Sequence, residues 1–139
     1  MIRAKPINED ILKNIPKVEA YFRENKTVIF AYLFGSIAKN KQGPLSDVDI
    51  AVYLTDGDLA NKMLSIVDEL SKILRTDEID LVLLNTAPVT LRMNILRGRR
   101  ILTDSIPFFR HAFESSTIRS YFDFEKIERS ILKRRFLNG

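Results

Sequence analysis

Three aspartates carry the chemistry this sequence offers. Asp47 and Asp49 flank a single valine in Asp47-Val48-Asp49, and Asp80 lies inside the apolar run Ile79-Asp80-Leu81-Val82-Leu83-Leu84. Acids are seldom placed in a buried strand unless they are paired or hold a metal. Side chains alternate across a strand, so Asp47 and Asp49 share one face while Val48, Ile50 and Val52 take the other. Two carboxylates roughly 7 Å apart can converge on one cation or bridge two. In-line phosphoryl chemistry with two Mg²⁺ ions about 3.5–4 Å apart needs acids of this kind. Mg²⁺ takes oxygen ligands and shares substrate phosphates. Without a metal, three gathered carboxylates repel one another and their pKa values rise. A plainer reading makes Asp47 a loop-ending acid and Asp80 a strand-edge acid with an arginine partner.

Gly35-Ser36 precedes the acidic doublet, with ten residues between Ser36 and Asp47. Glycine lets backbone approach a ligand closely and accepts positive φ. Ser36 offers a hydroxyl and a backbone N–H to a phosphate oxygen. If Ile37-Ala38-Lys39 opens a short helix, its free N–H groups add to an anion site. Lys39 or Lys41 would supply positive charge. A strand-ending turn explains an isolated Gly-Ser equally well, and the P-loop pattern is absent. Glycine-serine turn and three acids together point to metal-dependent chemistry on a nucleotide.

These residues need a scaffold. Residues from about Asn8 to Glu24 read as helical, with Ile11, Leu12, Ile15, Val18, Ala20, Tyr21 and Phe22 apolar. Pro16 divides this run into a short first helix and a second beginning near the proline. Thr27 to Phe34 is β-branched and aromatic, a strand ending at Gly35. Residues 36 to 46 form a turn and loop, and Asp47 to Leu54 a second strand. Thr55 or Asp56 caps a long helix to about Arg75. Ile79 to Leu84 is a third strand. Pro88 opens a helix through Leu96, closed by Gly98, and Arg100 to Thr103 forms a short edge strand. One or two helices fill the rest, roughly 105–122 and 124–136. The alternation predicts an α/β fold. The first two strands are joined by too few residues for a crossover helix, so the sheet is mixed.

The chain has 139 residues, 45% apolar and 29% charged, which fits one globular domain. It has no cysteine, which excludes disulfides and thiolate metal sites and favours a cytoplasmic address. No run approaches the length of a membrane span, so no membrane partner is expected. The net charge of +4 suits a nucleotide, a nucleic acid or an acidic protein without choosing among them. Lys133-Arg134-Arg135 reads as a solvated helix end, so direct nucleic-acid binding is not expected. His111, the one histidine, reads as a surface residue rather than a general base. Arg97, Arg99 and Arg100 are within reach of phosphates or belong to an exposed turn.

Tyr32-Leu33-Phe34-Gly35-Ser36-Ile37-Ala38-Lys39, Ser46-Asp47-Val48-Asp49-Ile50 and Ile79-Asp80-Leu81-Val82-Leu83-Leu84 resemble the signature of minimal nucleotidyltransferases in the DNA polymerase β-like superfamily. They are most similar to its antitoxin members, the MntA type encoded beside HEPN-domain toxins. The resemblance covers nearly the whole chain. It implies a nucleotidyltransferase fold, a small mixed β-sheet flanked by α-helices, in one domain over residues 1–139 with a helical C-terminal segment at about 105–137. It implies Mg²⁺ and ATP. Position by position, Gly35 and Ser36 would hold the triphosphate with Lys39 adding charge, and Asp47 and Asp49 would bind metal. Asp80 would complete a metal site and help activate the attacking hydroxyl. Members carry arginine then glycine where this chain has Lys39-Asn40, so the charge is kept and the glycine is not.

The implied activity is AMP transfer from ATP to a hydroxyl, with a tyrosine of a cognate HEPN toxin as acceptor. A second reading is a non-catalytic antitoxin that occludes its partner. Phe108, Phe109, Phe113, Tyr121, Phe122, Phe124 and Phe136, interleaved with Arg110, Arg119, Arg129, Arg134 and Arg135, fit an interface or core packing with a basic solvated face. A third is modification of a small molecule of aminoglycoside type, for which the chain is short.

Overall fold

The structure, a computed structural model, describes the backbone of residues 7–38 and 47–138, with side chains described for 11–38 and 47–135. Nine elements follow in the order α1 (Ile7–Glu24), β1 (Val28–Phe34), α2 (Gly35–Ala38), β2 (Val48–Leu54), α3 (Leu59–Leu74), β3 (Ile79–Leu83), α4 (Val89–Arg97), β4 (Arg100–Asp104) and α5 (Pro107–Asn138). The strands form one sheet in the order β3-β2-β1-β4. β1 is antiparallel to both β2 and β4, while β2 and β3 are parallel and connected through α3. The mixed sheet expected from the short first connection is therefore present.

Strand alternation sorts the core into two layers. On one face, Ala31 and Leu33 of β1 join Ile50 and Val52 of β2 under α1 and α3. On the other, Phe30, Tyr32 and Phe34 of β1 join Ala51 of β2 and are covered by Ile95 and Leu96 of α4 and Phe113 of α5. The second layer is aromatic. Tyr53 meets Phe109 and Phe113 edge-on at 5.0 and 5.5 Å, and Phe30 lies 5.3 Å from Phe113. Such contacts add roughly 0.5–1.5 kcal/mol each beyond the area they bury.

Two boundaries differ from the sequence reading. Pro16 does not divide α1, which runs through it as one helix. Ile11, Ile15, Val18 and Phe22 form an unbroken stripe at helical spacing and are all buried in the first layer, whereas Pro16 itself is exposed. Burial of four large side chains outweighs one missing backbone bond on the solvent side. The cap of α3 is Asp58, not Thr55 or Asp56: its carboxylate accepts from the Asn61 N–H at 3.1 Å. Thr55 and Asp56 instead give their carbonyls to the Lys62 ammonium at 3.0 and 2.8 Å. Residues 107–138 form one helix, the first of the two alternatives the sequence leaves open.

Asn85 adds a detail that pattern reading missed. Its side-chain amide accepts from the Leu54 N–H and donates to the Leu54 carbonyl, both at 2.9 Å. The amide thus continues the β2–β3 ladder where the strands diverge.

Candidate active site

The acids sit at one end of the sheet. Val48 begins β2, so Asp47 lies just ahead of it and Asp49 is its second residue. Asp49 shares its face with Ala51 and Tyr53, the aromatic layer, and Val48, Ile50 and Val52 point to the other layer as alternation requires. Register completes the set. Asp49 pairs with Phe34 on one side and with Asp80 on the other, so β1, β2 and β3 present Phe34, Asp49 and Asp80 as one rung. Asp80 is exposed, unlike the buried strand acid its apolar run suggests, because β3 is an edge strand. Asp47 is exposed and Asp49 half-buried.

Gly35 closes the rung from the β1 side. Its φ is +75°, and a Cβ built there would stand 2.1 Å from Oδ2 of Asp49. Only glycine allows the turn to lie against that carboxylate. Ser36 follows, half-buried, in the single turn of α2, which Ile37 anchors in the first layer. Lys39 lies outside the described residues, as do Lys41 and the rest of the loop through Ser46.

The electrostatics match the grouping. Burial holds the Asp49 carboxyl above the usual carboxylate range, and the charges of Asp80 and Asp47 push it further. Asp49 therefore feels the charge of both other acids. Among the described residues, no group of three His, Cys, Asp or Glu side chains is gathered closely enough to hold a metal ion. The donor set is all oxygen, which suits Mg²⁺, and the Asp49 carboxylate lies where a Cβ at position 35 would stand.

A second polar cluster lies deeper in the aromatic layer, and sequence reading missed it. The fully buried Tyr32 donates its hydroxyl to Glu114 at 2.5 Å. Arg99 clasps the same carboxylate through Nε and Nη2 at 2.8 and 2.9 Å, and its guanidinium lies 5.7 Å from the Tyr32 ring centre. Arg110 pairs with Glu114 at 3.1 Å and with Asp104 at 2.8 Å. Burial raises the Glu114 pKa, but the bonds from Tyr32 and Arg99 outweigh it and hold the carboxyl below its ordinary range. Arg99 is thus tied to Glu114, Arg100 faces Glu19 at 3.8 Å, and Arg97 stacks on Tyr121 at 5.1 Å. Arg99 is thereby held inward, whereas Arg97 and Arg100 stay exposed on either side of the α4–β4 turn, in keeping with the exposed-turn reading. No sequence signal links Tyr32 to Glu114, because the two are 82 positions apart. His111 is exposed, with its ring nitrogen 3.3 Å from Arg110.

A glycine turn against one of two rung-aligned acids, with a third just ahead of their strand on a mixed sheet, is the arrangement a family comparison decides. The family model described as "Polymerase beta, Nucleotidyltransferase" matches residues 16–106. The chain belongs to this nucleotidyltransferase family. The matched span includes the Gly35 turn, Asp47, Asp49 and Asp80 and stops just before α5.

Solved structures agree with the fold. A mutant MntA–HpeT toxin–antitoxin, with two aspartates changed to glutamate, superposes with a TM-score of 0.72 at 24% identity over 88% of this chain and 98% of that one. A toxin–antitoxin with AMP-PNP gives 0.67 at 22% identity over 93% and 98%. A tri-AMPylated Shewanella oneidensis HEPN toxin in complex with MNT antitoxin gives 0.67 at 22% identity over 90% and 98%. At such identities the likeness is one of fold. No curated protein matches the nucleotidyltransferase at the sequence level. Among the described residues no helix is long and apolar enough to cross a membrane.

Proposed function

We propose that this nucleotidyltransferase transfers AMP from ATP to a hydroxyl, a tyrosine side chain, of a cognate HEPN toxin and so acts as its antitoxin. The observation that carries the reading is the rung of Asp49 and Asp80 closed by Gly35. Family membership supplies the reaction class. The complexes of similar fold support the rest, one holding AMP-PNP and one a tri-AMPylated HEPN toxin beside an MNT antitoxin.

In this reading Asp47 and Asp49 hold Mg²⁺ with Asp80 as the third ligand. Bound Mg²⁺ would neutralise the triphosphate and the charge that builds on the leaving pyrophosphate. Gly35 brings backbone against the nucleotide tail, and Ser36 offers its hydroxyl and N–H to a phosphate oxygen, with Lys39 adding charge. The acceptor oxygen forms a bond to the α-phosphorus, the α–β bridging P–O bond breaks, and pyrophosphate departs. Asp80 accepts the hydroxyl proton. Its exposure leaves it open to an acceptor arriving from a second protein. Asp49, half-buried and crowded, remains with the metal. The chain's contribution is positioning and preorganised charge.

The test is label transfer from α-³²P ATP to the co-expressed toxin. Asp47→Asn and Asp49→Asn should each abolish it while circular dichroism stays unchanged. Labelling at the wild-type level in either variant would refute the assignment.

A further inference from the structure

The molecule carries a surface that the transfer reaction does not use. α5 has 32 residues, yet only its first part lies on the sheet. Phe113, Glu114 and Thr117 are buried, while Phe124 is 43%, Ile127 62% and Ile131 52% exposed. The helix face that packs on the aromatic layer continues past the end of the domain, where no described residue covers it. Phe124, Ile127 and Ile131 follow at spacings of three and four, which places them on one stripe. Isolated apolar side chains on a surface are ordinary, but three in a row along a helix are a seam.

Charge indicates what covers the seam. Ahead of Arg129 the projecting part carries Asp123, Glu125 and Glu128 with Lys126, and from Arg129 on it carries Arg129, Lys133, Arg134 and Arg135. An acidic half precedes a basic half. A second identical helix laid antiparallel sets each acidic half against the other's basic half. A two-fold axis between Ile127 and Ile131 brings those residues opposite each other. Asp123 and Arg134 stand on the same flank of the seam, at nearly equal distances from that axis, so each Asp123 faces the other copy's Arg134. A self-complementary patch of this kind defines an isologous interface.

We infer that two copies of this chain associate antiparallel through the projecting half of α5. The interface is separate from the acid cluster, so it holds whether or not AMP transfer is the reaction.

The experiment is sedimentation velocity and light scattering on the purified full chain across a concentration series, without toxin. The wild type should be dimeric. Ile127→Asp with Ile131→Asp should raise the concentration of half-dissociation by at least about tenfold, as loss of central apolar anchors does, with helicity retained. Asp123→Arg alone should weaken the dimer, and Asp123→Arg with Arg134→Asp should restore it. A wild-type chain monomeric throughout overturns the inference, as does a dimer indifferent to both sets of changes. Wild-type monomers whose toxin capture depends on Ile127 and Ile131 would assign the seam to the toxin and overturn it equally.

Discussion

At the scale of single residues, Asp49 is held where its charge is costly. Burial and the charges of Asp80 and Asp47 raise its pKa. A carboxyl with a raised folded-state pKa favours folding most when protonated. That benefit is complete below the unfolded pKa and disappears as pH climbs through the folded one. Asp49→Asn should therefore melt higher than the wild type at neutral pH, with the advantage vanishing in acid. Added Mg²⁺ should raise the wild-type Tm and leave the variant nearly unmoved. Thermal melts at two pH values, with and without Mg²⁺, check both points, and a variant less stable at neutral pH would contradict the crowding seen here. Gly35 tests the turn. Alanine there takes a left-handed φ costing about 1–2 kcal/mol. Its Cβ must also displace the Asp49 carboxylate, which stands 2.1 Å away. Gly35→Ala should lower transfer by roughly 100-fold or more for a displaced catalytic group, measured at saturating ATP.

At the scale of elements, α5 is locked to β1 and β4 by charge as well as by aromatic packing. Glu114 is the hub, receiving Tyr32, Arg99 and Arg110. Removing it leaves Arg99 and a buried phenol without their carboxylate, while Arg110 keeps Asp104. Glu114→Ala should cost roughly 3 kcal/mol, the lower end for breaking a buried pair. Tyr32→Phe should cost only about 1 kcal/mol, since it deletes one neutral donor. Urea titrations measure both. The pH sign is opposite to that of Asp49. The Glu114 pKa is lowered, so its contribution is present above the unfolded pKa and is lost as pH falls through the folded one. α1 shows the competing weight of packing over local propensity, since its buried stripe carries the helix through Pro16.

At the scale of the whole molecule, the core and the projecting helix are separable. Every buried side chain of the two core layers lies between Ile11 and Phe113. A chain ending at Phe122 keeps the Arg97–Tyr121 contact and the Glu114 hub. It should unfold cooperatively within a few degrees of the full-length Tm, because exposed side chains contribute little to stability. Differential scanning calorimetry reads this directly, and a broad or absent transition would show that the distal helix supports the core. Under the proposed reaction, activity on the toxin would then separate catalysis at the acid end of the sheet from any recruitment through α5.

The sequence by itself determined the strands, the acids and their facing. A strand repeats every two residues, so Asp49 must share a side with Ala51 and Tyr53 wherever the strand lies. The α/β alternation and the short link between β1 and β2 likewise imposed a mixed sheet. Tertiary structure alone decided that β3 lies beside β2 in a register that sets Asp80 against Asp49. It also decided that Arg99 turns inward to Glu114 and that half of α5 stands clear of the core. Periodicity is a local property and can be read along the chain. Strand adjacency, ion pairing and the point where a helix outruns its sheet depend on segments that meet only after the chain folds.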